Sequence, residues 1–129
     1  MILNLTQHAA TAEQIAAGVR DVVQHHGERE KLKSLLTFES LPSAEEVYDR
    51  ADAIADLAQS YFVDVAMICG APYLMGDLEC ALNKRGIKPV YAFSERVSVE
   101  KIVSGVVVKT NEFKHVGFVE VWPFVEVWP

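Results

Sequence analysis

Three small polar clusters in this chain have residue types that can do chemistry together: Thr6-Gln7-His8, Gly70-Ala71-Pro72 and Ser94-Glu95-Arg96. His8 is the member of the first that exchanges a proton near neutral pH. Its neighbours Thr6 and Gln7 either cap a following helix or face a ligand. Gly70 lets a ligand approach the backbone, and the free N–H groups from Ala71 onward suit a phosphate or carboxylate at a helix start. Tyr73 stacks on a base or simply covers an edge of the fold. Arg96 is always charged and presents a planar fork suited to phosphate. Its plain alternative is a surface ion pair to Glu95 or another acid, worth ~0–1 kcal/mol. A tight strand-to-helix turn explains Gly70 equally well. Lys109, Lys114 and His115 add positive charge further along.

What makes these clusters one site is the set of elements that carry them. Each ends a short apolar run that reads as a β-strand: 1–5, 65–69 and 87–93. A helical pattern follows the first two, so in a parallel sheet all three clusters meet at one edge, where open α/β sheets bind ligands. Thr11-Ala12-Glu13-Gln14 is a capping box that starts a helix carrying Ile15, Val19, Val22 and Val23, with Gly27 as its stop. A weaker helical stretch, 28–38, is broken at Leu41-Pro42. Ser43-Ala44-Glu45-Glu46 repeats the capping box ahead of an apolar stripe of Val47, Ala51, Ile54, Ala55, Ala58 and Phe62. Pro72 suits the first turn of the next helix, whose buried face is Leu74, Met75, Leu78, Ala81 and Leu82. Beyond residue 97 the pattern alternates around a Ser104-Gly105 turn, which predicts an antiparallel β-hairpin. The expected fold class is α/β: a single three-layer domain over 1–123, with a mostly parallel sheet and a C-terminal antiparallel hairpin.

Composition limits the partners. The chain has 129 residues, half of them hydrophobic, enough for one core without disulfides or metals. Twelve Lys and Arg stand against 18 Asp and Glu, a formal net charge of −6. Binding to long nucleic acid, which rests on many phosphate contacts, is therefore not expected. A small anion at a helix N-terminus is still compatible. Cys69 and Cys80 lack a metal-ligand spacing, and both are expected to be buried thiols. His25 and His26 are read as favourable contacts with a helix dipole, and no metal or cofactor is expected. There is no GxGxxG, no GxxxxGK[ST] and no specific Ser-His-Asp order. Without a basic leader or a long apolar run, the expected location is cytoplasmic, with no membrane contact. The chain ends on FVEVWP written twice, 118–123 and 124–129. The second copy has no obvious place in a compact domain, and an apolar extended segment invites pairing with another chain.

With these residues in view, the chain resembles small Rossmann-like proteins found in prophages and beside CRISPR loci. The resemblance rests on Asn4-Leu5-Thr6-Gln7-His8, on the strand ending in Gly70, on Ser94-Glu95-Arg96, and on Lys109-Thr110-Asn111-Glu112-Phe113-Lys114. Some proteins of this type are similar to sensors or ring nucleases for cyclic oligoadenylates. The resemblance implies a nucleotide-phosphate site at the strand ends of a homodimer, with Thr6, His8, Gly70, Ser94 and Arg96 as candidates. The acidic charge departs from what a nuclease for a polyanionic ring prefers.

Three functions are expected to compete. The first is a domain that binds a small phosphate-bearing nucleotide as sensor or sequestering protein. In it Arg96 pairs with phosphate, the turn after Gly70 donates N–H groups and Tyr73 stacks on the base. The second is a metal-independent phosphodiesterase at the same edge, with His8 as general acid or base. The third is a protein-interaction module with no small ligand.

Overall fold

The computed structural model describes residues 1–23 and 25–121. One sheet contains β1 (Ile2–Asn4), β2 (Val19–Asp21), β3 (Val65–Met67), β4 (Lys88–Val103) and β5 (Val106–Glu120). Their spatial order is β2-β1-β3-β4-β5. The first four run parallel, and β5 returns antiparallel along β4. The helices are α1 (Ala12–Ala16), α2 (Glu28–Leu36), α3 (Ala44–Gln59) and α4 (Pro72–Lys84). The expected mixed α/β architecture with a mostly parallel sheet and a C-terminal hairpin is the one observed.

Side-chain alternation gives the sheet two unequal faces. Leu3, Leu5, Ala66 and Ile68 form the floor of the main core, under Leu32 and Leu36 of α2, Ile54 and Ala58 of α3, and Leu74, Leu78 and Leu82 of α4. Among the described residues, the opposite face gathers only Val19, Met67 and Val90, with Ile2, Ala10, Val65 and Phe118 partly covered beside them. Its outer layer is thin, because α1 contributes no buried residue. Asn4 also belongs to this face by alternation. It is the one buried polar or charged residue among those described, at 3% exposure.

Two caps and two turns explain where the helices begin and end. Thr11 Oγ1 accepts from Gln14 N at 3.1 Å while Gln14 Oε1 accepts from Thr11 N at 3.0 Å, completing the capping box. Ser43 Oγ accepts from Glu46 N at 3.1 Å, but the Glu46 carboxylate turns to Arg50 instead. Gly86, at φ +72°, ends α4 in the left-handed conformation that glycine adopts freely. Ser104 and Gly105 both have positive φ, the signature of a two-residue hairpin turn matched to strand twist.

Several expectations are corrected. The first predicted helix is cut short: Gly18 has φ +102°, and Val19 leaves the helix to pair with Ile2 as β2. Phe62 lies beyond the end of α3, is 95% exposed and has φ +56°, so it is no part of the apolar stripe. His25 and His26 fall in a 3-10 turn ahead of the N-terminus of α2, the positive end of a helix dipole, so the dipole does not favour a cation there. Cys69 and Cys80 are both exposed. Strand β4 does not stop at Phe93. It runs on to Val103, since the Ser94-Glu95-Arg96 cluster contains no glycine or proline to break it. Among the described residues, no helix is long and apolar enough to cross a membrane. Phe118–Glu120 of the first FVEVWP copy complete β5, and Val121 N bonds to Pro89 O at 3.4 Å. The second copy, at 124–129, and the domain boundary at 123 lie outside the described residues.

Candidate functional site

A polar network closes the end of β1. Asn4 stands in register with Asp21 of β2 and Met67 of β3. Its Nδ2 donates to Asp21 Oδ1 at 2.8 Å and to the His8 carbonyl at 2.8 Å. Its Oδ1 accepts from Thr6 N at 2.9 Å and from Thr6 Oγ1 at 2.7 Å. Asp21 Oδ1 also accepts from Ala10 N at 2.9 Å. Both donors and the acceptor of the Asn4 amide are therefore used, which removes the penalty of burying it. The result is a folded-back loop, 6–10, that holds His8 beside the strand it has just left.

Beside that loop lies a cleft of about 240 Å³. Thr6, His8, Thr11 and Gln14 form one wall, and Met67, Cys69, Tyr91 and Ala92 the other. The cleft lies on the thinly covered face, between the carboxyl ends of β1 and β3. In a sheet of order 2-1-3-4 this is where successive crossovers turn in opposite directions, leaving a crevice. The Tyr91 hydroxyl reaches Glu79 Oε2 on α4 at 3.4 Å. Burial, reinforced by Glu79, pushes that phenol up to about 12, so it stays protonated through neutral pH. A second, tighter recess places Asn4, Thr6, His8 and Asp21 against Arg29, Leu32 and Lys33 of α2.

The expected site residues separate into three groups. Thr6 and His8 share the cleft, whereas the Gln7 amide donates to Thr37 Oγ1 at 3.3 Å, toward the end of α2. Gly70 is exposed, and a Cβ there would come within 3.2 Å of Met75 Cε and 3.7 Å of Leu36 Cδ2. Ala71 is the N-cap of α4 and offers no side-chain cap. Tyr73 sits in another cavity of about 760 Å³, with Phe38, Leu41, Pro42, Val47 and Asp77. Its ring meets Phe38 edge-on at 5.2 Å between centroids. That cavity is larger but lined by Glu39 and Asp77 with no Lys or Arg, which opposes a phosphate. Ser94 and Arg96 lie farther out on β4. Arg96 is six residues beyond Val90, about 20 Å along the strand from the Asn4–Met67–Val90 row. Its guanidinium stacks over Phe113 at 5.5 Å. The structure thus brings Thr6 and His8 together and leaves Arg96 apart from them.

Sequence reasoning missed the cations that line a recess with His8. Arg29 and Lys33 are four apart on α2 and so share one face. Neither side chain has a hydrogen bond or ion pair among the described residues. The signal available beforehand was their i,i+4 spacing, which reads equally as a solvated helix face. Asn4 was also legible in principle, as a polar residue in an inward position of an alternating strand. Cys69 adds an exposed thiol to the cleft wall. Among the described residues, no group of three His, Cys, Asp or Glu side chains is placed to hold a metal ion.

The model of the family described as "Uncharacterized protein MJ1673 family" matches residues 1–119, and the chain belongs to that family. No curated protein and no solved structure matches the chain.

Proposed function

We propose that this protein binds a small phosphate-bearing nucleotide at the carboxyl end of β1 and β3, as a sensor or sequestering domain. The observation that carries this reading is that Thr6 and His8 line both the open cleft and a recess, of only about 10 Å³, shared with Arg29 and Lys33. These two cations have no ion pair among the described residues, in an otherwise acidic chain. Arg29 and Lys33, linked to the cleft through their shared neighbours Thr6 and His8, supply the charge for which Arg96 is too distant. Thr6 and the 6–10 loop supply hydrogen bonds. The neighbouring cleft, at about 240 Å³, lies below the range of about 300–1,000 Å³ that encloses drug-sized ligands. It accommodates the phosphate and part of one nucleotide, with the remainder on the surface. A cyclic oligoadenylate, which the resemblance to CRISPR-linked proteins suggests, exceeds the cleft of one copy.

Binding is favoured over phosphodiester cleavage by the state of His8. Its carbonyl is held by Asn4 and Thr6, but its ring makes no hydrogen bond among the described residues. A general base is normally oriented by a second group, and none stands behind this imidazole. The test is calorimetric titration with adenosine monophosphate, adenosine and inorganic phosphate. Binding of the monophosphate but not the nucleoside, weakened about tenfold in Arg29→Ala, is the expected result. Equal binding of adenosine, or none of the three, refutes the reading. Turnover of a cyclic oligoadenylate that is lost in His8→Ala while binding persists would favour the enzyme instead.

A further inference from the structure

The cavity of about 760 Å³ at Tyr73 shares no lining residue with the cleft or the recess at Thr6 and His8. It lies where the connection from α2 to α3 meets the start of α4. Its volume falls inside the range of about 300–1,000 Å³ that encloses drug-sized ligands. Phe38, Leu41, Pro42, Val47 and Tyr73 give it an apolar, aromatic lining. Much of that lining is uncovered, since Leu41 is 97% exposed and Tyr73 54%. Apolar surface in a concavity favours an occupant that removes it from water.

The sign of the charge narrows the occupant. Glu39 and Asp77 line the cavity, and neither carboxylate has a hydrogen bond or ion pair among the described residues. Asp77 stands four residues beyond Tyr73 on α4, so ring and carboxylate share one helix face. Among the described residues, no Lys or Arg lines the cavity. Arg50 lies over the Phe38 ring at 4.3 Å, but it is engaged by Glu46 at 2.8 Å and by the Ser34 carbonyl at 3.3 Å. Lys84 lines an adjoining recess with Asp77, yet its ammonium sits over the Tyr48 ring at 6.0 Å and makes no ion pair with that carboxylate. Among the described residues no cationic side chain lies over Tyr73, which leaves its ring open to a cation–π contact. The first turn of α3 also borders the cavity through Ser43 and Ala44, and a helix start favours an anion. Here Ser43 Oγ already takes the Glu46 N–H, and Glu45 and Glu46 in that turn offset the dipole.

We infer that this cavity binds a small organic cation, an ammonium or amidinium group carried on an aromatic or aliphatic body. The body lies against Leu41, Val47 and Tyr73, and the cationic end meets Glu39 and Asp77. Both carboxylates are exposed, so their attraction is screened and modest. They set the sign of the ligand, while the apolar lining supplies most of the affinity. The inference does not rest on nucleotide binding: an anion is repelled here and drawn to Arg29 and Lys33, and either site can fail without the other.

Mapping backbone amide shifts of the full chain with phenethylammonium, 2-phenylethanol and 3-phenylpropionate tests this, because the three share a phenyl body and differ in charge. Phenethylammonium at millimolar concentration is expected to perturb 38–47 and 73–77. It should bind roughly fivefold to tenfold more tightly than the alcohol, and the carboxylate should bind most weakly. Glu39→Gln/Asp77→Asn should erase the preference for the cation and leave affinity for the alcohol unchanged. Neither carboxylate has a partner in the fold, so this variant should keep the parent's spectrum elsewhere. Equal binding of ammonium and alcohol, tighter binding of the carboxylate, shifts centred outside these segments, or no shift at millimolar ligand would each overturn the proposal. So would shifts of the same amides with protein concentration alone, which would assign the cavity to a second copy of the chain.

Discussion

The helix-covered face of the sheet and its opposite face begin from the same strands and end in different chemistry. On the covered side, Leu3, Leu5 and Ile68 meet aliphatic side chains from three helices. On the other side, Ile2 and Val19 begin an apolar surface that gives way at the strand ends to Asn4, Asp21 and Thr6. The first arrangement gives the fold most of its buried apolar packing. The second has a thin cover, a satisfied polar network and an open cleft beside it. The proposed anion site lies at the strand ends where the two faces meet, with Asn4 and Asp21 on one side and Arg29 and Lys33 of α2 on the other. Each substitution below asks what each face contributes.

The largest effect is expected on the covered face. Leu78→Ala removes a side chain with no solvent exposure and should lower unfolding free energy by about 2–5 kcal/mol in urea titration, with nucleotide binding retained in the folded fraction. A loss under 1 kcal/mol would mean that this face is less tightly packed than described. Asn4→Ala comes next. It removes one of the two donors to Asp21 Oδ1 and strands the Thr6 N–H, and is expected to cost about 1–3 kcal/mol. Unlike Leu78→Ala, it should also weaken nucleotide binding in molecules that remain folded, because the 6–10 loop loses its clamp. Equal binding in the two variants would erase the distinction between the faces.

A pH experiment sharpens the boundary between the faces at Tyr91, which borders the cleft while its hydroxyl meets Glu79. Burial first, and Glu79 second, raise its pKa to about 12 from 10.0. Below pH 10 the phenol is neutral in both folded and unfolded chains and its contribution is fully present. As pH rises from 10 toward 12 the unfolded chain loses the proton first, so that contribution is lost. Tyr91→Phe should flatten the decline in Tm across that window, and an unchanged decline would show that the hydroxyl is not held by the fold. The smallest effect is expected on the β4–β5 hairpin: Ile102→Thr, at a side chain 78% exposed, should change stability by no more than about 0.5 kcal/mol.

How much of this was legible depended on the length of each element. The buried face of α4 was readable residue by residue, because five apolar positions recur over nearly four turns. The five-residue α1 and three-residue β2 each present too little periodicity, and the positive φ of Gly18 that separates them leaves no trace in the apolar spacing. Ser94-Glu95-Arg96 looked like a strand end because polar clusters often mark one. In a ribbon beyond the sheet, polar residues simply occupy the solvated positions. Thr6 and His8 were found because the strand end is local in sequence. Arg29 and Lys33 were not, since only the crossover through α2 brings them to His8.

The central claim is that an anion is held where Thr6 and His8 meet Arg29 and Lys33. Mapping backbone amide shifts by NMR during titration with adenosine monophosphate tests it most directly. The account predicts perturbations concentrated at 6–11, 29–33 and 67–69, abolished together in Arg29→Ala/Lys33→Ala with the rest of the spectrum intact. Perturbations centred on Phe38, Leu41 and Tyr73 in the larger cavity, or no change at millimolar nucleotide, would contradict it.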